Sequence, residues 1–215
     1  MSILFVEGFT LGMGLLIALG PKDTFVIKNS LGGQHALMLV LTCALSDVLL
    51  IALGVLGLGA LISASRWTMV VAMVLSIAYL VYYGAMALRA AIAGKQNIEL
   101  QGLDAGQAVP RSRIFTEALV HSLLTPYAWL DTVLVIGAIS STKAGVGKWW
   151  FASGAIVASF LWFVFLTRGA RVAAPLFRSR WAWRMLDVIV AASMLALAVK
   201  LLGDYPWQSS VATPE

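Results

Sequence analysis

Long apolar runs dominate the chain, and polar positions collect in the short stretches between them. A transmembrane helix needs about 20 predominantly apolar residues. Such runs cover residues 3–27, 36–62, 68–92, 114–139, 149–166 and 185–202. The apolar–polar alternation of a membrane β-barrel strand is missing from these runs. The pattern therefore predicts an all-α membrane protein with six transmembrane helices.

Two of the six runs are interrupted by proline. Gly20-Pro21 breaks the first run and is followed by Lys22 and Asp23, and Thr125-Pro126 breaks the fourth. Proline removes a backbone donor and clashes with the preceding turn, so each helix must kink or unwind there. In a bilayer the freed carbonyl groups need other partners, or they must line a cavity enclosed by protein.

The two breaks divide the chain into similar halves. Each half has three runs and opens with a broken one. A unit of three helices crosses the membrane an odd number of times, so two copies have opposite orientation. We expect two inverted three-helix repeats, residues 1–93 and 113–203, with a polar linker at 94–112 and a polar tail at 204–215. Paired broken helices mark transporter sites; the alternative, that the prolines only kink packed helices, is less favoured because charges accompany both breaks.

Composition supports a membrane protein and argues against several other classes. The chain is 60% hydrophobic and 12% charged, whereas soluble domains have about 45–50% apolar and about 25% charged residues. The net charge of +5 fits cytoplasmic loops and not a nucleic-acid-binding face. Enzyme and metal-site motifs are missing from the sequence. We therefore expect no enzymatic activity, no cofactor, no resident metal and no nucleic-acid partner.

The distribution of basic residues predicts the orientation. Cytoplasmic loops are enriched in Lys and Arg. One side of the predicted topology has nine basic residues: Lys28, Arg89, Lys95, Arg111, Arg113, Arg171, Arg178, Arg180 and Arg184. The other side has three, Arg66, Lys143 and Lys148, with Lys200 near its edge. The first side, with the linker, is predicted to be cytoplasmic, and both termini are predicted to lie outside.

Acidic residues within the apolar runs are candidate functional groups. Ionisable residues at membrane depth usually mark a substrate or ion pathway. Asp23, Asp47 and Asp131 face one nearby base, Lys22, which leaves room for a cationic cargo. Asp47 and Asp131 are also the candidates for proton coupling; the alternative for each is a structural hydrogen bond to a neighbouring helix. The candidate substrate-binding residues are Gly20, Pro21, Lys22, Asp23, Asp47, Thr125, Pro126 and Asp131.

Glu117 and His121 are a further pair of ionisable residues. They are four residues apart, so they share a helix face. His121 is a candidate proton relay. An interfacial ion pair with Glu117 is the favoured interpretation.

Several short motifs resemble those of the LysE-type lysine/arginine exporters. They fall in order in four of the six runs: Leu11-Gly12, Gly20-Pro21, Val26-Ile27-Lys28, Ser46-Asp47, Pro126, Leu130-Asp131-Thr132 and Ala158-Ser159-Phe160-Leu161-Trp162-Phe163. The resemblance implies a bacterial inner-membrane exporter of basic amino acids, driven by proton-motive force. It also implies that the broken helices and nearby acids form the cargo path.

The chain departs from that family at the two breaks. Such exporters typically read Gly-Pro-Gln-Asn and Asn-Pro where this chain has Gly20-Pro21-Lys22-Asp23 and Thr125-Pro126. Lys22 either pairs with Asp23 or Asp131, or repels a cationic cargo, and the sequence leaves both open. Two other functions stay open as well: export of a neutral amino acid or a metal cation, and a non-transporting membrane assembly subunit. A homodimer through the glycine-rich second run is compatible with the sequence.

Overall fold

The computed structural model describes residues 1–17, 19–31, 36–64, 66–93, 110–143 and 145–204, which form helices and short turns without a β-strand. The helices are α1 Ser2–Leu16, α2 Pro21–Leu31, α3 Ala36–Val55, α4 Leu58–Ala64, α5 Arg66–Ala93, α6 Arg111–Leu123, α7 Pro126–Ser141, α8 Gly147–Val172 and α9 Arg180–Asp204. Within α7, the stretch Trp129–Ile136 is π-helical.

The helices confirm an all-α membrane protein with broken helices at the predicted positions. Helices α3, α5, α8 and α9 are each long and apolar enough to cross a membrane. The pair α1 and α2 is bent by 80°, and the pair α6 and α7 by 54°. If each bent pair is counted as one span, the described part of the chain has six candidate spans by length and composition.

Several predicted boundaries differ from the structure, and helix α9, for example, begins at Arg180 and not at 185. The run 36–62 contains two helices, since α3 ends at Val55 and Gly57 adopts a left-handed φ of 104° before α4. Helix α8 begins before and ends after the predicted 149–166, because its last turns continue into polar sequence. Helix α6 begins at Arg111, inside the predicted linker; residues 94–109 of the linker and 205–215 of the tail lie outside the described residues.

Glycine allows the closest helix contacts. A Cβ on Gly8 of α1 would lie 1.9 Å from the Phe151 carbonyl oxygen, and one on Gly154 of α8 would lie 2.1 Å from the Phe5 carbonyl oxygen. A Cβ on Gly54 would lie 2.9 Å from the Val133 carbonyl oxygen of α7, and one on Gly59 would lie 2.6 Å from the same oxygen. Glycines of the second predicted run therefore pack against another helix of the same chain.

The buried apolar side chains form two groups. The larger one joins α2, α3, α5, α8 and α9 and includes Val26, Leu39, Leu80, Phe163 and Met194. The smaller one joins α3, α7 and α8 through Ile51, Val55, Ile136, Phe151 and Ala155. Two acids of the predicted site, Asp23 and Asp47, are buried as well.

Candidate functional site

The first break is stabilised by Asp23. This residue is the third of α2, and its Oδ2 accepts a hydrogen bond of 2.9 Å from the Gly20 backbone N–H, in the manner of a capping box. Its Oδ1 accepts a second bond, of 3.0 Å, from Trp162 Nε1 in α8. Asp23 is only 7% exposed. The carboxylate therefore fixes the start of α2 and ties it to α8.

Lys22 forms an ion pair with Asp47, and not with Asp23 or Asp131, the two partners that the sequence left open beside repulsion of a cationic cargo. Its Nζ lies 2.5 Å from Asp47 Oδ1. It also donates to the Cys43 carbonyl oxygen at 3.3 Å and lies 4.5 Å from the centre of the Phe163 ring. Asp23 accepts its hydrogen bonds from Gly20 and Trp162 instead.

Asp47 connects three helices. Besides the Lys22 ion pair from α2, its Oδ2 accepts a 2.6 Å hydrogen bond from Ser159 Oγ in α8. Asp47 itself belongs to α3 and is 8% exposed. The structural hydrogen bond considered from the sequence thus exists, and it coexists with a charge pair.

At the second break, side chains donate hydrogen bonds to backbone carbonyl groups at the end of α6. Thr125 Oγ1 donates to the His121 carbonyl oxygen at 2.7 Å, and Trp129 Nε1 donates to the Leu123 carbonyl oxygen at 2.7 Å. The Tyr79 hydroxyl lies 3.2 Å from Thr125 Oγ1. These contacts satisfy carbonyl groups that the ended helix leaves open, as a break at membrane depth requires.

Asp131 lies in the π-helical part of α7, a local geometry that is frequent at functional sites. Tyr127, one turn earlier in the same helix, and Lys200 in α9 are the polar groups that act on its carboxylate. Among the residues that the structure describes, Asp131 makes no close ion pair comparable to Lys22–Asp47. Asp131 therefore differs from Asp47, whose carboxylate is paired with Lys22.

A cavity of about 90 Å³ joins the two breaks. Seven of the eight predicted site residues line it, namely Gly20, Pro21, Lys22, Asp23, Asp47, Thr125 and Asp131, whereas Pro126 does not. A second cavity of about 50 Å³ shares Asp47 and Asp131 with it. The cavity therefore brings three acids and one base of the predicted site to the same space.

Sequence reasoning assigned no role to several residues of the site. Ser159 and Trp162 supply donors from α8 to Asp47 and Asp23. Both residues could have been noted in the sequence, because each places a hydrogen-bond donor, a hydroxyl or an indole N–H, within an apolar run. His121, the candidate proton relay, lines the cavity, and its ring centre lies 5.2 Å from that of Phe25. The favoured Glu117–His121 ion pair is replaced by a Glu117–Arg113 pair at 2.9 Å.

The model of the LysE type translocator family matches residues 13–204, which include both helix breaks and all three cavity carboxylates. The chain belongs to this family. It is similar to the proteins named arginine exporter protein ArgO of Klebsiella pneumoniae (strain 342), Salmonella enteritidis PT4 and Salmonella typhimurium LT2. Each is 36% identical over 197 residues, covering 92% of both chains. No solved structure matches the chain significantly.

Membership of the translocator family confirms the resemblance drawn from the helix breaks and acids. The LysE-family member described here is a multi-pass membrane transporter and not an enzyme. The alternative of a non-transporting assembly subunit is not supported by this family.

Replacing Trp162 with phenylalanine is expected to destabilise the protein by about 1–3 kcal/mol, because the buried Asp23 carboxylate loses one of its two N–H donors. For a chain of this size the melting temperature should fall by several degrees. Thermal unfolding of the purified protein in detergent measures this. Trp181→Phe is the matched control, since Trp181 is 66% exposed. Equal melting temperatures for Trp162→Phe and wild type would contradict the role given to this bond.

Proposed function

We propose that this chain exports basic amino acids, arginine first, from the cytoplasm across the bacterial inner membrane. The observation that carries the proposal is the charge of the cavity, where three carboxylates, two of them buried, line the same space as one ammonium group. Arginine and lysine carry two cationic groups and one carboxylate, so their net charge complements the site. The arginine exporters to which the chain is similar support the same cargo.

The carboxylates have separate roles in this proposal. Asp131 binds the cationic side chain of the cargo, because Asp47 is already paired with Lys22 and Asp23 already accepts two N–H hydrogen bonds. Asp47 exchanges between its internal pair and a cargo cation or proton. The N-terminal ends of α2 and α7 border the cavity and favour the cargo carboxylate through their exposed N–H groups and dipoles. Coupling to proton-motive force then requires that an acid is alternately protonated and ion-paired, which suits Asp47 and Asp131.

The proposed architecture is an inverted pair of repeats, 1–93 and 113–203, joined by a cytoplasmic linker at 94–112. Helix packing supports it. Helix α8 follows the bent helix pair of the second half, and it packs on α1 and α2, the bent pair of the first half. Helix α3 has the equivalent place in the first half, and it packs on α6 and α7. The third long helices, α5 and α9, pack on each other. A topology reporter at Glu215 should be found outside, and a cytoplasmic signal would contradict this orientation.

Export of a neutral amino acid is the second candidate, because Lys22 already neutralises Asp47. Asp23 is likewise held by two N–H donors within the protein. A cargo without a cationic side chain would then meet one available carboxylate, Asp131.

Transport into and out of liposomes separates the two candidates. Purified protein should exchange labelled arginine, with competition by lysine and little competition by citrulline, which has the shape of arginine without its charge. A pH gradient should accelerate the movement if protons are coupled. Strong competition by leucine or citrulline, with no arginine movement, would reject the basic cargo and favour the neutral one.

A further inference from the structure

The Lys22 ammonium group occupies a complete cation site. A carboxylate oxygen of Asp47 lies at 2.5 Å, the carbonyl oxygen of Cys43 at 3.3 Å, and the face of the Phe163 ring at 4.5 Å. Carboxylate, carbonyl oxygen and aromatic face are the groups that bind a free organic cation in proteins. The Lys22 side chain is only 15% exposed.

The position of Lys22 in its own helix does not explain this arrangement. It is the second residue of α2, directly after the break, where the helix dipole disfavours a cation. Local features that conflict with their own element are expected at functional sites. The ammonium group is therefore held by α3 and α8, and not by the helix that carries it.

The same ammonium group borders the proposed cargo cavity. Lys22, Asp47 and Phe163 all line it, together with Asp131. A lysine side chain has a flexible four-carbon stem, and this one starts next to a bend of 80°. The ammonium group is therefore carried on a flexible stem beside a bend in the chain.

We propose that Lys22 is a tethered competitor of the cargo: its ammonium group fills the cation subsite formed by Asp47, Cys43 and Phe163, and an organic cation of the cargo enters this subsite only by displacing it. The competition weakens cargo binding and speeds cargo release, because Lys22 returns to Asp47 as the cargo leaves. This inference rests on the proposed function for the identity of the cargo. The cation subsite itself does not depend on it.

The first experiment tests the subsite without any cargo. Lys22→Ala removes the ammonium group and leaves space for a small amine. Ethylammonium chloride should raise the melting temperature of Lys22→Ala above the value in sodium chloride at equal ionic strength. Wild type should show no such difference, nor should Lys28→Ala, whose lysine lies on the same helix but outside the cavity lining. A folded Lys22→Ala without an ethylammonium-specific shift overturns the proposal.

The second experiment tests the competition. Lys22→Gln removes the charge and keeps an unbranched polar side chain, which is one atom shorter than lysine. Its KM for arginine should fall at least about tenfold, the size of one charge-assisted hydrogen bond, and kcat should fall with it. Lys28→Gln should match wild type. An unchanged or higher KM for arginine in Lys22→Gln overturns the proposal and makes Lys22 a structural counter-ion of Asp47.

The two experiments separate the possible failures. If wild type exports no arginine, the proposed cargo is wrong, and the ethylammonium measurement alone decides the Lys22 subsite. If Lys22→Ala cannot be purified in folded form, the KM of Lys22→Gln decides.

Discussion

Asp131→Asn is expected to lower kcat/KM for arginine export by about ten- to a hundredfold. Asparagine keeps the shape of the side chain but cannot form a charged pair, and a charge-assisted hydrogen bond contributes about 1.5–3 kcal/mol. At about 1.4 kcal/mol for each factor of ten, this range gives the expected loss. The effect should be large here because Asp131 lies in the cavity without a close ion pair among the described residues.

Initial rates of arginine efflux from liposomes measure this effect, with citrulline as the neutral cargo. Asp131→Asn should reduce the preference for arginine over citrulline as well as the rate. Glu117→Gln is the matched control, because Glu117 is an acid on α6 that pairs with Arg113 and does not line the cavity. Wild-type arginine kinetics in Asp131→Asn would exclude Asp131 from the cargo site.

Gly8→Val is expected to prevent stable folding. The first side-chain carbon at residue 8 would lie 1.9 Å from the backbone carbonyl oxygen of Phe151. A backbone atom of α8 cannot rotate away as a side chain can, so α1 and α8 would have to separate. Overpacking of side chains typically costs about 1–3 kcal/mol, and we expect this backbone clash to exceed that range.

Gly14→Val is the control for this substitution. Gly14 lies in the same helix, and a Cβ there meets nothing within 4 Å. Both variants introduce the same β-branched residue into α1, so their helix propensities change equally. Size-exclusion chromatography and thermal unfolding in detergent should show aggregated or poorly expressed Gly8→Val and near-wild-type Gly14→Val. A monodisperse, equally stable Gly8→Val would show that α1 and α8 do not pack as described.

The features that the sequence predicted well are those set by local chemistry. The breaks at Gly20-Pro21 and Thr125-Pro126 follow from the missing proline N–H, and no tertiary contact is needed to infer them. The sequence did not predict the end of α3 at Val55, because a glycine such as Gly57 does not interrupt an apolar run in a hydropathy pattern. Its left-handed conformation is not visible in that pattern.

The pairing within the site depends on contacts between distant parts of the chain. Lys22 and Asp47 are 25 residues apart, and Ser159 is 112 residues from the aspartate that it contacts. Spacing along one helix cannot reveal such partners. Asp23, the acid next to Lys22 in the chain, was one of the candidate partners for its ammonium group. In the structure, the Asp23 carboxylate caps its own helix instead.

The central claim, that the cargo occupies the cavity between the two broken helices, is tested most directly by protection of a cysteine placed there. Thr132 lines both cavities, while the native Cys43 is fully buried, so wild type gives the background. Arginine should slow the reaction of Thr132→Cys with methyl methanethiosulfonate, whereas citrulline should not. Labelling of Thr142→Cys, at an exposed position after α7, should be indifferent to arginine. Equal labelling of Thr132→Cys with and without saturating arginine, in a protein that exports arginine, would contradict the claim.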